Sequence, residues 1–183
     1  MRCSNTPPLE TEHLRLRRFR EDDVEDMFPL YSDAGVNRFL PWYPFRTIEQ
    51  TREYLHASIY PEYKKDTAYC YALELKETNQ VIGYVCVTKI DRDTASGELG
   101  YGLRREYWNQ GLMTEAADAV LERLRGDGFA YIIATHDVQN PASGRVMQKL
   151  GMTYQGAYEE QWQPKNIPVT FHLYRIDLRS DTP

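Results

Sequence analysis

The sequence predicts an α+β (α/β) domain: a mostly antiparallel, mixed central sheet of about seven strands with flanking helices. Three observations predict it. Segments of alternating or continuous apolar character recur through the middle and end of the chain. One helix-period segment lies between two strand-like ones, which makes a β-α-β crossover inside an otherwise antiparallel order. No repeat, low-complexity tract or linker divides the 183 residues, so one domain, 1–183, holds a single sizeable core.

The elements follow in order. HLRLRRF (13–19) alternates, with Leu14 and Leu16 on one side, and reads as the first strand. EDDVEDMFPLYSD (21–33) is acidic at its start and apolar at Val24, Met27, Phe28 and Tyr31, which predicts a helix broken at Pro29. FLPWYPF (39–45) is an aromatic, proline-rich loop. Thr47 and Gln50 fit a capping box, and the helix they open should turn Ile48, Leu55 and Ile59 inward and stop before Pro61. YCYALEL (69–75) and QVIGYVCVTKI (80–90) flank a turn at ETN (77–79), as in a hairpin. GELGYGL (97–103) alternates again, with Leu99, Tyr101 and Leu103 on one face. Ala116, Ala117, Val120, Leu121 and Leu124 have helical spacing, and Gly126 and Gly128 are candidate stops. FAYIIATH (129–136) reads as a buried strand, PASGRVMQKLG (141–151) as a short helix with a glycine exit, and 152–162 and 169–178 as the last two strands. The predicted order is β-α-α-β-β-β-α-β-α-β-β.

Composition narrows the function. The chain is 42% hydrophobic and 27% charged, as a globular protein is. A net charge of -5 argues against nucleic acid, whose backbone calls for a basic face. No apolar run reaches the ~18–20 residues of a membrane span, and the N-terminus does not resemble a secretory signal. A cytoplasmic protein is the expectation. Cys3, Cys70 and Cys86 have no metal-ligand spacing, so no metal is expected, and Cys70 and Cys86 read as small buried hydrophobes. His13, His56, His136 and His172 have no close partner in sequence and read as structural or surface residues. The 14 tyrosines hint at an aromatic-lined cleft. Exposed edges of such a sheet leave room for a homodimer.

EYWNQGLMTEA (106–116) stands apart. Gly111 precedes a helix whose first N–H groups have no intrahelical partners and carry partial positive charge. A converging loop there makes an anion site, to which Thr114 adds a hydroxyl. The alternative is an ordinary turn. Neither G-x-x-x-x-G-K-[ST] nor G-x-G-x-x-G occurs, and G-x-S-x-G, H-E-x-x-H and C-x-x-C are missing too.

GELGYGLRREYWNQGLMTEA (97–116), followed by NPASGRVMQKLGM (140–152), resembles the GNAT family of acetyl-CoA-dependent N-acetyltransferases. The branch it is most similar to contains the ribosomal-protein N-terminal acetyltransferases, whose usual start is matched by LETEHLRLRRFREDD (9–23). The resemblance implies the GNAT fold, with central strands splayed around acetyl-CoA. It implies that Asn109, Gln110, Gly111, Leu112, Met113 and Thr114 cradle the pyrophosphate with backbone N–H groups. Met113 stands where the family prefers glycine or alanine, so its side chain must point away from the phosphates. Strand 97–103 should end in a bulge and part from strand 129–136, with the pantetheine arm pairing near Tyr101, Gly102 and Leu103. Gly100 and Gly102 would allow close approach to a ligand, or merely relieve crowding. Asn140, Ser143 and Arg145 fall on the cofactor side, although Asn140 or Ser143 could simply cap a helix.

The mechanism the resemblance implies is direct attack by a primary amine on acetyl-CoA. Glu98 is the candidate base, or a structural or substrate-orienting carboxylate. Met147 occupies the position where many family members carry an acid tyrosine, so Ser143 is the substitute, with Tyr101, Tyr154 and Tyr158 as other hydroxyls. Trp42, Tyr43, Glu98 and Trp162 are the candidate acceptor-binding residues. The expected acceptor is a protein N-terminal amine. The alternatives are a small-molecule amine (polyamine, amino acid or antibiotic) and a non-catalytic CoA-binding regulatory domain.

Overall fold

The computed structural model describes residues 1–179. Its eight strands are β1 (Leu9–Glu10), β2 (Leu14–Arg17), β3 (Tyr69–Leu75), β4 (Val81–Asp91), β5 (Ser96–Leu103), β6 (Tyr131–Asp137), β7 (Thr153–Trp162) and β8 (Ile167–Asp177). The helices are α1 (Val24–Ser32), α2 (Ala34–Asn37), α3 (Ile48–Tyr54), α4 (Leu112–Gly126) and α5 (Pro141–Lys149). The strands form one sheet in the order β1-β2-β3-β4-β5-β6-β8-β7, antiparallel except for the β5–β6 pair that α4 connects. The eighth strand, β1, has two residues, too few to show a period.

Both faces of the sheet are covered, which explains why β3 is apolar on both sides from Tyr69 to Leu73. Tyr69, Tyr71 and Leu73 point to the core beneath α4 and α5, together with Val85, Val87 and Leu99 of the neighbouring strands. Cys70 and Ala72 point the other way, to a second core formed with Val24, Met27, Leu30, Tyr31 and Leu55. Ala116, Ala117, Val120, Leu121 and Leu124 are all buried along one stripe of α4. Burying such side chains is worth about 1.5–3 kcal/mol each. Arg17 fastens the second layer to the sheet: its guanidinium binds Asp23 at 2.8 Å and Glu74 at 2.6 Å. These bonds overcome desolvation and hold the Glu74 carboxyl below its ordinary range.

Several local expectations change. Pro29 lies inside α1 without breaking it, and the helix ends at Ser32 because Asp33 accepts from the N–H groups of Gly35 and Val36 and so starts α2. The Thr47–Gln50 capping box forms. Beyond it Ile48 is exposed and Thr51 is the buried residue of that turn, while Leu55 and Ile59 face inward as expected. A π turn and then a 3₁₀ turn carry the chain on to Lys64, with Pro61 opening the last of these where its missing N–H costs nothing. Cys70 and Cys86 are not separate buried hydrophobes. They sit opposite each other in the β3–β4 register, Cα atoms 4.0 Å apart, and are joined by a disulfide.

Gly83 sets how closely β4 and β5 approach. A Cβ at this position would lie 2.3 Å from the Gly102 carbonyl oxygen and 3.1 Å from Leu103 Cα, both backbone atoms. Gly83→Ala should therefore lower stability by about 1–3 kcal/mol in urea unfolding, the range for overpacking, and weaken coenzyme A binding with it. An unchanged unfolding midpoint would show that β5 does not depend on this contact.

Candidate active site

The site begins where β5 and β6 part. Their parallel pairing runs from Ser96–Tyr131 to Glu98–Ile133 and stops, although β5 continues to Leu103 and β6 to Asp137. β5 stays registered with β4 up to Leu103, and β6 stays registered with β8 up to Asp137. The expected bulge is not at the end of β5. The register shift lies in β4, between Thr88 and Asp91, where Lys89 takes φ +48°. A bulge re-aims a side chain, and here Lys89 reaches Glu98 on β5.

A cleft of about 720 Å³ fills the gap and passes through the sheet. On the α4–α5 side it is lined by Tyr101, Gly102, Leu103, Asn109, Gly111, Leu112, Met113, Thr114, Asn140, Ser143 and Arg145. On the other side Val36, Phe39, Pro41, Tyr84, Trp162 and Phe171 form its walls, with Thr135 and Asp137 beside them.

The loop before α4 braces itself. Trp108 Nε1 donates to the Leu103 carbonyl at 2.8 Å, and Gln110 Nε2 donates to the Glu106 carbonyl at 2.9 Å. Gln110 thus supports the loop with its side chain and does not line the cleft. Asn109 and Gly111 take φ of +61° and +84°, a conformation that favours glycine. No side chain caps the start of α4, so its first N–H groups face the cleft unpaired. A Cβ on Gly111 would meet no protein atom within 4 Å, so the glycine answers to backbone conformation and leaves open space for a ligand. Met113 is buried in the core beneath the sheet, which takes its side chain away from the loop.

The two strand glycines differ. A Cβ on Gly102 would strike the Tyr84 ring at 2.6 Å, so this glycine relieves crowding. A Cβ on Gly100 would find its nearest neighbour, the Cys86 carbonyl oxygen, at 4.0 Å.

Asn140 caps α5, its Oδ1 accepting from Ser143 N at 3.4 Å, while also lining the cleft. Ser143 Oγ lies 3.0 Å from the Tyr101 hydroxyl, which itself donates to the Ser143 carbonyl at 2.9 Å. Burial pushes the Tyr101 phenol well above its ordinary pKa. Met147 is fully buried and offers no proton. Arg145 and Lys149 stand one turn apart on α5, both exposed at the cleft and without an ion pair among the described residues. Lys149 was not anticipated, and its signal was the i, i+4 spacing from Arg145.

Glu98 lies on the face of the sheet away from α4, next to the cleft but not lining it. Its Oε2 is 2.7 Å from Lys89 Nζ, and its Oε1 accepts from Thr135 Oγ1 at 3.3 Å. This bond to Glu98 pushes the Lys89 ammonium up. Trp42 and Tyr43 do not reach the cleft. Trp42 packs into the second core and donates to Asn37 Oδ1 at 3.1 Å, whereas Tyr43 is 60% exposed. Phe39, Pro41 and Phe171 hold the walls instead. Among the described residues no cluster of side chains could hold a metal ion, and no helix is long and apolar enough to cross a membrane.

Comparison with known proteins gives the family. Residues 13–153 match the family model described as acetyltransferase (GNAT) domain. An N-acetyltransferase of Bacillus subtilis, YoaA, whose function is uncharacterised, is 25% identical over 173 residues, covering 93% of this chain and 96% of that protein. The ribosomal-protein-serine acetyltransferase of Escherichia coli is 21% identical over 154 residues, covering 82% and 84%. The crystal structure of a GNAT-family acetyltransferase from Bacillus anthracis superposes with a TM-score of 0.81 at 27% identity, covering 95% of this chain and all of that one. The chain belongs to the GNAT acetyltransferase family. It is an acyltransferase that uses acetyl-CoA and acetylates an amine.

The residues present fit that cofactor: an uncapped helix start, two unpaired cations and an open strand edge face one cleft. Replacing Arg145 and Lys149 together by methionine should raise the Kd of coenzyme A by roughly tenfold and flatten its salt dependence, as expected when charge-assisted phosphate contacts are lost. Calorimetric titration at two ionic strengths checks this. Equal affinity and salt slope would place the phosphates elsewhere.

Proposed function

We propose that the acceptor is the α-amine of a protein N-terminus, bound where Phe39, Pro41, Trp162 and Phe171 wall the cleft. The observation that carries this reading is the passage through the sheet. One cleft joins the uncapped start of α4 to an aromatic-walled mouth on the opposite face, so donor and acceptor enter from different sides. The E. coli relative, named a ribosomal-protein-serine acetyltransferase, supports a protein acceptor.

Acetyl-CoA supplies an acetyl group activated toward amines as a thioester. The chain's own residues do the rest. N–H groups from Gly111 to Thr114 hold phosphate, with Arg145 and Lys149 adding charge. The free edge of β5 between Gly100 and Leu103 offers N–H groups to an oxygen that gains negative charge. Glu98 takes the proton that the amine must lose, with Thr135 Oγ1 between its carboxylate and the cleft. Ser143 holds a proton at Oγ for the thiol end of the cofactor. Leu99, Tyr84 and Phe171 keep water from the reacting centre.

Thiol release from acetyl-CoA, measured against peptides with serine or alanine N-termini, polyamines and an aminoglycoside, tests the acceptor. Peptides should be the best substrates, and turnover of the small amines alone would move the acceptor class. Ser143→Ala should lower kcat by roughly 10²-fold, the lower end for loss of a general acid. A rate equal to that of the unmodified protein would remove Ser143 from the role. Glu98→Gln should lower kcat by roughly 10²-fold, the lower end for loss of a general base, and an unchanged kcat would remove Glu98 as the base.

A further inference from the structure

The acceptor end of the cleft has two walls from distant parts of the chain. Val36, Phe39, Leu40 and Pro41 follow or belong to α2, whereas Trp162 and Phe171 flank the β7–β8 turn. A single side chain ties the two together. Lys165, in that turn, donates from Nζ to the carbonyls of Asn37 at 2.7 Å and Leu40 at 2.6 Å, and lies 3.4 Å from that of Arg38. It makes no ion pair with a carboxylate among the described residues, so its charge is satisfied by the carbonyls that end α2. Desolvation in this setting pushes its pKa down.

Both ends of the tie are themselves fixed. Asn37 is fully buried, and its Nδ2 donates to the carbonyls of Leu30 and Asp33 while its Oδ1 accepts from Trp42. In the turn, Gln161 and Gln163 both donate to Asn166 Oδ1, at 3.0 and 3.2 Å. Removing Lys165 would therefore release one firm unit from another and would not unravel either.

We propose that Lys165 is a positioning residue that closes the acceptor end and selects slender amines, such as a peptide N-terminus or a linear alkylamine, over amines carried on a multi-ring body. The proposal rests on the assignment of this end of the cleft to the acceptor. Its physical basis is reach. With the two walls fastened, Phe39 and Pro41 on one and Trp162 and Phe171 on the other border the same cleft. Without the fastening, the turn of residues 163–166 is an exposed hairpin tip free to swing outward.

Two variants and two readouts test it. Lys165→Met keeps the stem and loses the donors, whereas Lys165→Arg keeps donors and charge. Amide hydrogen exchange should quicken over residues 37–42 and 162–167 in the methionine variant and stay near its original rate in the arginine one. Coenzyme A affinity should be unchanged in both, which also reports that they fold. The methionine variant should raise the KM of a serine-leading peptide by about tenfold with kcat within about twofold, and the ratio of aminoglycoside to peptide turnover should rise. Unchanged exchange in the methionine variant would overturn the proposal. So would faster exchange with an unchanged turnover ratio. If the unmodified protein turned over none of these amines, the acceptor reading would fail and this proposal with it. That outcome is distinguishable, because the exchange contrast and coenzyme A binding need no acceptor.

Discussion

Two parallel strands that stop pairing partway along are the constraint from which the site follows. An unpaired strand edge inside a protein is costly, because each buried N–H or C=O without a partner forfeits about 1–3 kcal/mol. β5 and β6 stay apart beyond Glu98 and Ile133 while each keeps its outer neighbour, β5 with β4 as far as Leu103 and β6 with β8 as far as Asp137. The open edge is therefore a property of the sheet and exists before any ligand arrives. A ligand with amide groups of its own satisfies what the fold leaves unsatisfied, and little reorganisation is needed to bind it.

The two faces of this gap are charged differently. Beneath it the start of α4 is uncapped, and α5 contributes Arg145 and Lys149. Above it the charges are balanced: the β4 bulge aims Lys89 at Glu98 and that pair is internally neutral, while Asp137 stands on the same side as the Lys165 ammonium. The cationic character of the passage is therefore confined to its α4–α5 mouth.

Much of this was legible in the sequence. The hairpin turn centred on residue 78 pairs residues whose numbers sum to 156, and Cys70 and Cys86 satisfy that sum, so their juxtaposition was present in the hairpin prediction even though a disulfide was not drawn from it. The left-handed turn into α4 was legible because glycine and helix-start signals mark it directly, as Gly111 shows. The walls on the other side of the cleft were not. Trp42 and Tyr43 fall in the right loop, but a loop has no period from which to tell inward from outward side chains. The partners that decided the matter, Asn37 for Trp42 and Lys165 for the loop as a whole, lie in a four-residue helix and a turn that carry no pattern. Ile48 differs for another reason: the capping box forms, but Ile48 is the first residue of α3 and stays exposed, and burial begins at Thr51.

The position of Met147 sharpens the question of where a proton comes from. The family resemblance implies a phenol there, whereas this chain fills the place with a buried thioether. A phenol is nevertheless present in the cleft, contributed by Tyr101 from β5. Its single proton points to the Ser143 carbonyl at 2.9 Å, and the Ser143 hydroxyl, at 3.0 Å, is then the donor to the phenol oxygen. Burial makes the phenol a poorer acid still, so Tyr101 serves as a fixed acceptor that orients its neighbour. The Ser143 hydroxyl can rotate away from Tyr101 at the cost of that one hydrogen bond, while Tyr101 keeps its bond to the backbone. The cleft is thus lined by a rotatable hydroxyl beside a fixed one, although position 147 holds no tyrosine.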